Sequence, residues 1–316
     1  MTKPNCEPLH FPSADKQHTI AGYVYTMPDV APRAVIQISH GMCEYIGRYC
    51  NLIAYFTANG FVVAGNDHLG HGASAAPEER GHFADKNGYR CILSDLKTMN
   101  ATLHQRYPGL PLVLYGHSMG SFFARWYAEL WPDTIDALIL SGTAGPSPRN
   151  RLGLILSSVL AAVAGPHYHS GLIVQAQTGA YCRRIPQAVS KSDWMSRDPK
   201  VISDFDADPQ TQFTFTAAAY RDMLTALTHI STRKWAQAMP KQLPVLLVAG
   251  TDDPVGNYGN GVRAVYAMLG DAGIQDLTCH LYEGGRHEMH NETNRTEVYE
   301  DERTWLESRL FDQELR

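Results

Sequence analysis

A serine between two glycines, Gly116-His117-Ser118-Met119-Gly120, is the strongest chemical signal in the chain. The apolar run Pro111–Tyr115 leads into it, and Phe122–Ala128 leaves it with the composition of a helix. Strand, G-x-S-x-G, helix is the setting of a nucleophile elbow, where a hydroxyl stands exposed on a sharp turn. A serine hydroxyl is a poor nucleophile by itself. It needs a base to take its proton and donors for the oxyanion it creates. Glycine at 116 and 120 lets strand and helix pass closely. The helix that begins after Ser118 also turns its free N–H groups toward the reacting centre.

The partners of such a serine follow in the order Ser, Asp, His, each after a later strand. Gly250-Thr251-Asp252-Asp253-Pro254 comes directly after the apolar run Val245–Ala249. Asp253, followed by a proline that fixes the next backbone torsion, is the favoured acid. Asp252 is its rival, with turn bonding as its simpler role. Gly284-Gly285-Arg286-His287 follows Leu277–Tyr282 and offers His287 as the base, with His290 as rival and His280 inside the strand. In this arrangement His287 accepts the Ser118 proton and later protonates the leaving group. Asp253 holds the imidazole in the right tautomer. The oxyanion donors are expected to be the backbone N–H of Met119 and that of Met42, in the loop His40-Gly41-Met42-Cys43-Glu44. Asp67-His68-x-x-His71 has a superficial ligand spacing. No third cluster supports it, and His287-Glu288-x-His290 is not H-E-x-x-H, so no metal is expected.

These loops need a scaffold that delivers them to one end. Residues 7–12 and 18–26 read as strands, as do Arg33–Ser39, Phe61–Ala64, Ile135–Leu140, Val245–Ala249 and Leu277–Tyr282. Helical spacing marks Tyr49–Asn59, residues 89–106 with Ile92, Leu93, Leu96, Met99 and Leu103 on one face, Gly261–Leu269 and about 292–310. Strand alternating with helix predicts an α/β fold with a mostly parallel central sheet flanked by helices. The alternation breaks between Gly142 and Pro240, where the apolar run 152–164, a polar stretch and a helix near 214–230 replace it. Core connections are usually short, so this segment is expected to be an inserted helical cap. The core would then comprise 1–142 and 241–316, and the cap 143–240.

The 316 residues suffice for one large domain, and 44% apolar with 19% charged residues is the balance of a globular protein. The net charge of −5, without a basic stripe, argues against nucleic acid as partner. Six scattered cysteines without a C-x-x-C pair read as reduced, packed thiols. The polar start Met1–Asn5 does not read as a signal peptide, and the run Leu152–Gly165 is too short to span a bilayer. A cytoplasmic placement with peripheral contact to membranes is the expectation, and the oligomeric state is not legible.

His40-Gly41 through Glu44, with Gly47-Arg48-Tyr49, resembles the HGxxEHxxRY stretch of the monoacylglycerol lipase and lysophospholipase group of α/β-hydrolases. Asp67-His68-Leu69-Gly70-His71-Gly72-Ala73-Ser74 is similar to that group's DxxGHGxS segment, and Tyr107–Gly120 and the Asp253 and His287 loops match as well. The resemblance spans about residues 20–305 and is weakest in the expected cap. It implies an α/β-hydrolase fold, the triad Ser118, Asp253 and His287, and backbone donors at Met42 and Met119. It further implies ester hydrolysis without metal or organic cofactor and a cap that covers a lipid pocket and touches membranes. Cys43, Glu44 and His117 are the expected substrate-binding residues. Tyr45 stands where that group usually has His, and Cys43 where a small residue is usual. Cleavage of monoacylglycerols or lysophospholipids is therefore the leading expectation. A short-chain carboxylesterase, an aminopeptidase with Glu44, Asp204, Asp206 or Asp208 receiving the substrate amine, and a non-catalytic ligand sensor are the alternatives.

Overall fold

Strands that are apolar along their whole length need cover on both faces. Such strands include β3 (Ala34–Ser39), β4 (Phe61–Asn66), β5 (Leu112–His117) and β7 (Val245–Gly250), all fully buried in the computed structural model, which describes residues 3–311. With β1 (Asn5–Pro12), β2 (Thr19–Thr26), β6 (Ala137–Ser141) and β8 (Leu277–Tyr282) they form one sheet in the order β1-β2-β4-β3-β5-β6-β7-β8. β1 and β2 run antiparallel at one edge, and the remaining six strands are parallel. The α/β expectation of a mostly parallel sheet flanked by helices holds.

Because side chains alternate across a strand, each strand feeds two cores. Val35, Leu114, Leu138 and Leu247 pack on the side of α2 (Gly88–Arg106), α3 (Met119–Leu130) and α9 (Asn260–Asp271). Ile36, Val113, Ile139 and Leu246 pack against α1 (Cys50–Ala58) and α10 (Arg295–Leu310).

The connection from β6 to β7 is the long one. It contains α4 (Pro148–Val163), α5 (Gly171–Gln177), α6 (Pro199–Ala207), α7 (Ala217–His229) and α8 (Arg233–Ala238). α4 starts four residues before the apolar run because Ser147 caps it, its hydroxyl accepting the Arg149 N–H, with Pro148 as first helical residue. The short helices α5, α6 and α8 lie in stretches without helical periodicity. Each is opened by a hydroxyl or carboxylate cap: Ser170, Asp198 and Thr232. α7 is buried, and the Asp222 carboxylate accepts the Gly88 N–H at the start of α2, 2.8 Å away.

Both stems of this excursion are tied to α3 by one side chain. Arg125 is fully buried, and donates to the Ala144 carbonyl at 3.0 Å and the Ile230 carbonyl at 2.6 Å. Its guanidinium lies 4.4 Å from the ring centre of Trp235, whose indole N–H donates back to the Arg125 carbonyl at 3.1 Å. Burial pushes this guanidinium down to about 9. The planar fork reaches both carbonyls from one rigid group, whereas a lysine offers a single point charge on a flexible stem.

Candidate active site

The parallel strands bring the sequence-predicted residues to one edge of the sheet, at their carboxyl ends, where open α/β sheets bind ligands. Ser118 follows β5, Asp253 follows β7, His287 follows β8, and the His40–Glu44 loop follows β3.

Ser118 has φ 51° and ψ −122°, a region that side chains other than glycine rarely occupy. Its N–H donates to the Ser141 carbonyl of β6 at 2.9 Å, which holds the turn. A Cβ on Gly116 would stand 2.7 Å from the Ala124 methyl carbon, and one on Gly120 would land on the Ser39 carbonyl oxygen. The two glycines thus let α3 cross directly over β3 and β5. Among the described residues, the N–H groups of Met42 and Met119 have no hydrogen-bond acceptor.

His287 Nδ1 lies 3.0 Å from Asp253 Oδ2. Asp253 is fully buried, and its other oxygen, Oδ1, accepts the Val255 N–H at 2.8 Å. Asp252 is exposed, so burial separates the two rival aspartates. Burial alone would push the His287 imidazole down; the Asp253 charge and hydrogen bond, with Glu288 and Glu44 further off, outweigh it and raise the ring above its ordinary 6.5. The rival His290 stacks face to face on Tyr49 with ring centres 4.4 Å apart, and burial pushes it down to about 4. His280 lies on β8, 3.8 Å from the Asp301 carboxylate.

A second carboxylate holds the β3 loop. Glu44 Oε1 accepts the Gly41 N–H and, at 2.8 Å, the Tyr49 hydroxyl. Arg48 bridges Glu44, 3.5 Å away, and Glu288, 2.6 Å away. Burial and the Glu288 charge push Glu44 up to about 7 despite Arg48. Beneath the loop, the rings of His40, His68 and His71 pack together, with 4.2 Å between the first two centres and 5.1 Å between the first and third. Burial drives all three down, His68 to about 3 and His71 to about 4, so they are neutral spacers. The Asp67 carboxylate accepts the N–H groups of Ile46 and Ala73 at 3.0 and 2.8 Å, which makes it a turn holder.

Ser118, His287, Met42, Met119, Cys43, Glu44 and His117 all line one cavity of about 170 Å³. His117 also packs its ring 4.8 Å from that of His287. The remaining walls come from residues the sequence did not mark, among them Phe122, Trp194, Met223 and Leu227. Trp194 packs its ring 4.9 Å from His287. It lies in an irregular part of the excursion, where no periodicity flags it. A second cavity of about 370 Å³ adjoins the first and shares Met42, Cys43, Thr178, Trp194, Met195 and Phe205 as walls.

A strained serine, a buried aspartate–histidine pair and a loop of free N–H groups can carry out acyl transfer. The model of the family described as serine aminopeptidase, S33, matches residues 30–294. A thermostable carboxyl esterase of Bacillus coagulans, solved with glycerol, is 32% identical, covering 98% of this chain and 99% of its own, with a TM-score of 0.90. The monoacylglycerol lipase of Mycolicibacterium smegmatis is 29% identical over 310 residues, 94% of this chain and 99% of its own. The monoglyceride lipase of Homo sapiens is 26% identical over 307 residues, 95% of this chain and 90% of its own. Fold, site and relatives define the class, a carboxylic ester hydrolase of the α/β-hydrolase kind. More narrowly, the chain belongs to the serine aminopeptidase S33 family.

Proposed function

We propose that this ester hydrolase cleaves monoacylglycerols or lysophospholipids through a Ser118–His287–Asp253 triad and an acyl-enzyme. His287 takes the Ser118 proton as the hydroxyl attacks the ester carbonyl, and the oxyanion receives the Met42 and Met119 N–H groups. Collapse expels the glycerol-side alcohol, protonated by His287. Water then attacks the acyl-enzyme by the same route in reverse. Each oxyanion donor is worth about 3 kcal/mol in such a transition state.

The observation that carries the lipid reading is the pairing of this centre with apolar walls and an apolar outer face. Residues 143–240 are read as a cap. On α4, Leu152, Ile155, Val159 and Val163 follow helical spacing and are 52–82% exposed. That stripe, with Leu172 on α5, is proposed to touch membranes during substrate uptake. Among the described residues, no helix is long and apolar enough to cross a bilayer. The smaller cavity suits the reacting ester and the adjoining one the rest of a longer chain.

The aminopeptidase alternative needs an unpaired carboxylate for the substrate amine. Glu44 and Glu288 line the cavity, but both are engaged by Arg48. Asp204 pairs with Lys200, Asp206 accepts from Ser190 and Ser192, and Asp208 accepts the Tyr45 hydroxyl at 2.8 Å. These engagements favour an ester over an amide that must present a free amine.

The test is a panel of 2-acylglycerols, lysophospholipids, short esters and aminoacyl amides, with Ser118→Ala as control and a fluorophosphonate probe for the serine. Turnover of short esters alone would refute the lipid reading. Absence of labelling at Ser118 would refute the triad and favour a ligand sensor.

A further inference from the structure

The cluster His82, Asp85 and His167 lies away from the catalytic cavity, where the loop between β4 and α2 meets the loop between α4 and α5. His82 Nε2 is 3.3 Å and His167 Nε2 is 3.1 Å from the same oxygen, Asp85 Oδ1. The two imidazoles are stacked, with ring centres 3.9 Å apart and planes 21° from parallel. All three donor atoms fall within 4.8 Å of one another. A tetrahedral ion with bonds of about 2.0–2.1 Å sets its ligand atoms roughly 3.3 Å apart, so two edges of that figure already exist.

The surroundings hold the donors in place. The far nitrogen of His82, Nδ1, is 3.0 Å from the Thr216 hydroxyl. With Nδ1 protonated, that bond frees the Nε2 lone pair for an ion, as an outer partner does for a ligating histidine. The backbones under both rings are sewn to one helix start. The Thr216 N–H donates to Gly81 at 2.9 Å, the Ala217 N–H to Tyr168 at 2.7 Å, and the Ala218 N–H to Pro166 at 3.1 Å. The residues beside His82 and His167 are therefore fixed to the first turn of α7. One cation is close: the Arg221 guanidinium donates to the Asp85 carbonyl at 3.0 Å, leaving the carboxylate to the imidazoles.

We propose that His82, Asp85 and His167 form a site for a divalent transition-metal ion of the zinc type, which clasps the α4–α5 loop of the excursion to the core. Two imidazoles and one carboxylate suit zinc, cobalt or nickel and do not suit calcium or magnesium, which take oxygen ligands. Water completes the coordination on the open side. The site is structural, because none of the three residues lines the catalytic cavity.

Isothermal titration of the full chain with zinc chloride tests this. One equivalent is expected to bind, and Asp85→Asn and His167→Ala are each expected to weaken it at least tenfold, while His287→Ala leaves it unchanged. His167 is exposed, so its replacement spares the fold; equal unfolding midpoints without metal check this. Hydrogen exchange over residues 164–170 should slow with zinc in the parent chain and not in His167→Ala. The proposal is overturned if no saturable zinc binding occurs, if stoichiometric binding survives His167→Ala, or if magnesium competes at equal concentration.

Discussion

Replacing Asp253 by Asn changes no volume and makes a sharp forecast. Asp253 Oδ1 accepts the Val255 N–H at 2.8 Å, while Oδ2 faces His287 Nδ1 at 3.0 Å. In Asp253→Asn the Val255 N–H keeps the amide oxygen on its own side, because an NH₂ there would meet a donor. The NH₂ must then face His287, whose Nδ1 has to accept. The ring's proton moves to Nε2, the nitrogen that should take the Ser118 proton. A wrong tautomer of this kind lowers kcat by about 10⁴-fold in serine hydrolases, or about 5.5 kcal/mol of barrier. The pH profile moves as well. In the proposed mechanism catalysis needs neutral His287; burial pushes its pKa down, and Asp253 outweighs that and raises it above 6.5. In the parent enzyme kcat/KM should therefore rise with pH through a limb above 6.5. In Asp253→Asn burial is no longer opposed by that charge, so the limb shifts to lower pH while the plateau collapses. The assay is kcat/KM on a p-nitrophenyl ester between pH 5 and 9, with circular dichroism to establish folding. Retention of more than about a tenth of the activity, or an unmoved limb, refutes the assignment. Asp252→Asn, at an exposed site, should change the rate less than twofold, a difference of about 0.4 kcal/mol.

Three other substitutions probe the supports. Glu44→Gln removes the charge that holds the Gly41 N–H and the Tyr49 hydroxyl, so kcat should fall about 10²-fold through a displaced oxyanion loop, with KM little changed; unchanged kcat would refute this role. Glu302 is buried, with one oxygen 3.3 Å from the Tyr115 hydroxyl, and burial pushes it from an ordinary 4.5 up to about 8. Between those values the folded state holds one more proton than the unfolded state, so stability falls as pH rises, by about 1.4 kcal/mol per pH unit. Glu302→Gln should remove that slope and be the more stable protein at pH 8 in urea melts. Phe123→Ala opens a void in the fully buried layer between α3 and the sheet and should cost about 3–5 kcal/mol in the same assay.

The strands and the order of the site loops were readable because burial on both faces leaves uninterrupted apolar runs, such as Val113–Tyr115 and Val245–Ala249. The loops carrying Ser118, Asp253 and His287 each follow such a run, so topology alone gathers them. Asp253 is favoured over Asp252 by the proline that follows it, and the geometry agrees, since only the inward carboxylate reaches the imidazole. The excursion was harder. α5, α6 and α8 have six to nine residues each and depend on end caps and contacts rather than a long apolar stripe. The apolar run 152–164 falls almost wholly within α4, yet much of that helix's apolar face is exposed, which composition cannot distinguish from core. Trp194, the ring beside His287, comes from an aperiodic stretch. His82 and His167 come from loops far apart in sequence, both hydrogen-bonded to the start of α7, so no local spacing pairs them.

With both stems of the excursion held by the single guanidinium of Arg125, changes of sequence are partitioned into two compartments. Between Ala144 and Ile230 the chain can gain, lose or exchange cavity walls while its points of departure and return stay fixed to α3. That helix begins at Met119, so the position of Ser118, the proposed nucleophile, is insulated from drift in the walls. Preference among ester substrates can then diverge on an unchanged reaction centre, and the two stems are natural joints for exchanging specificity between relatives.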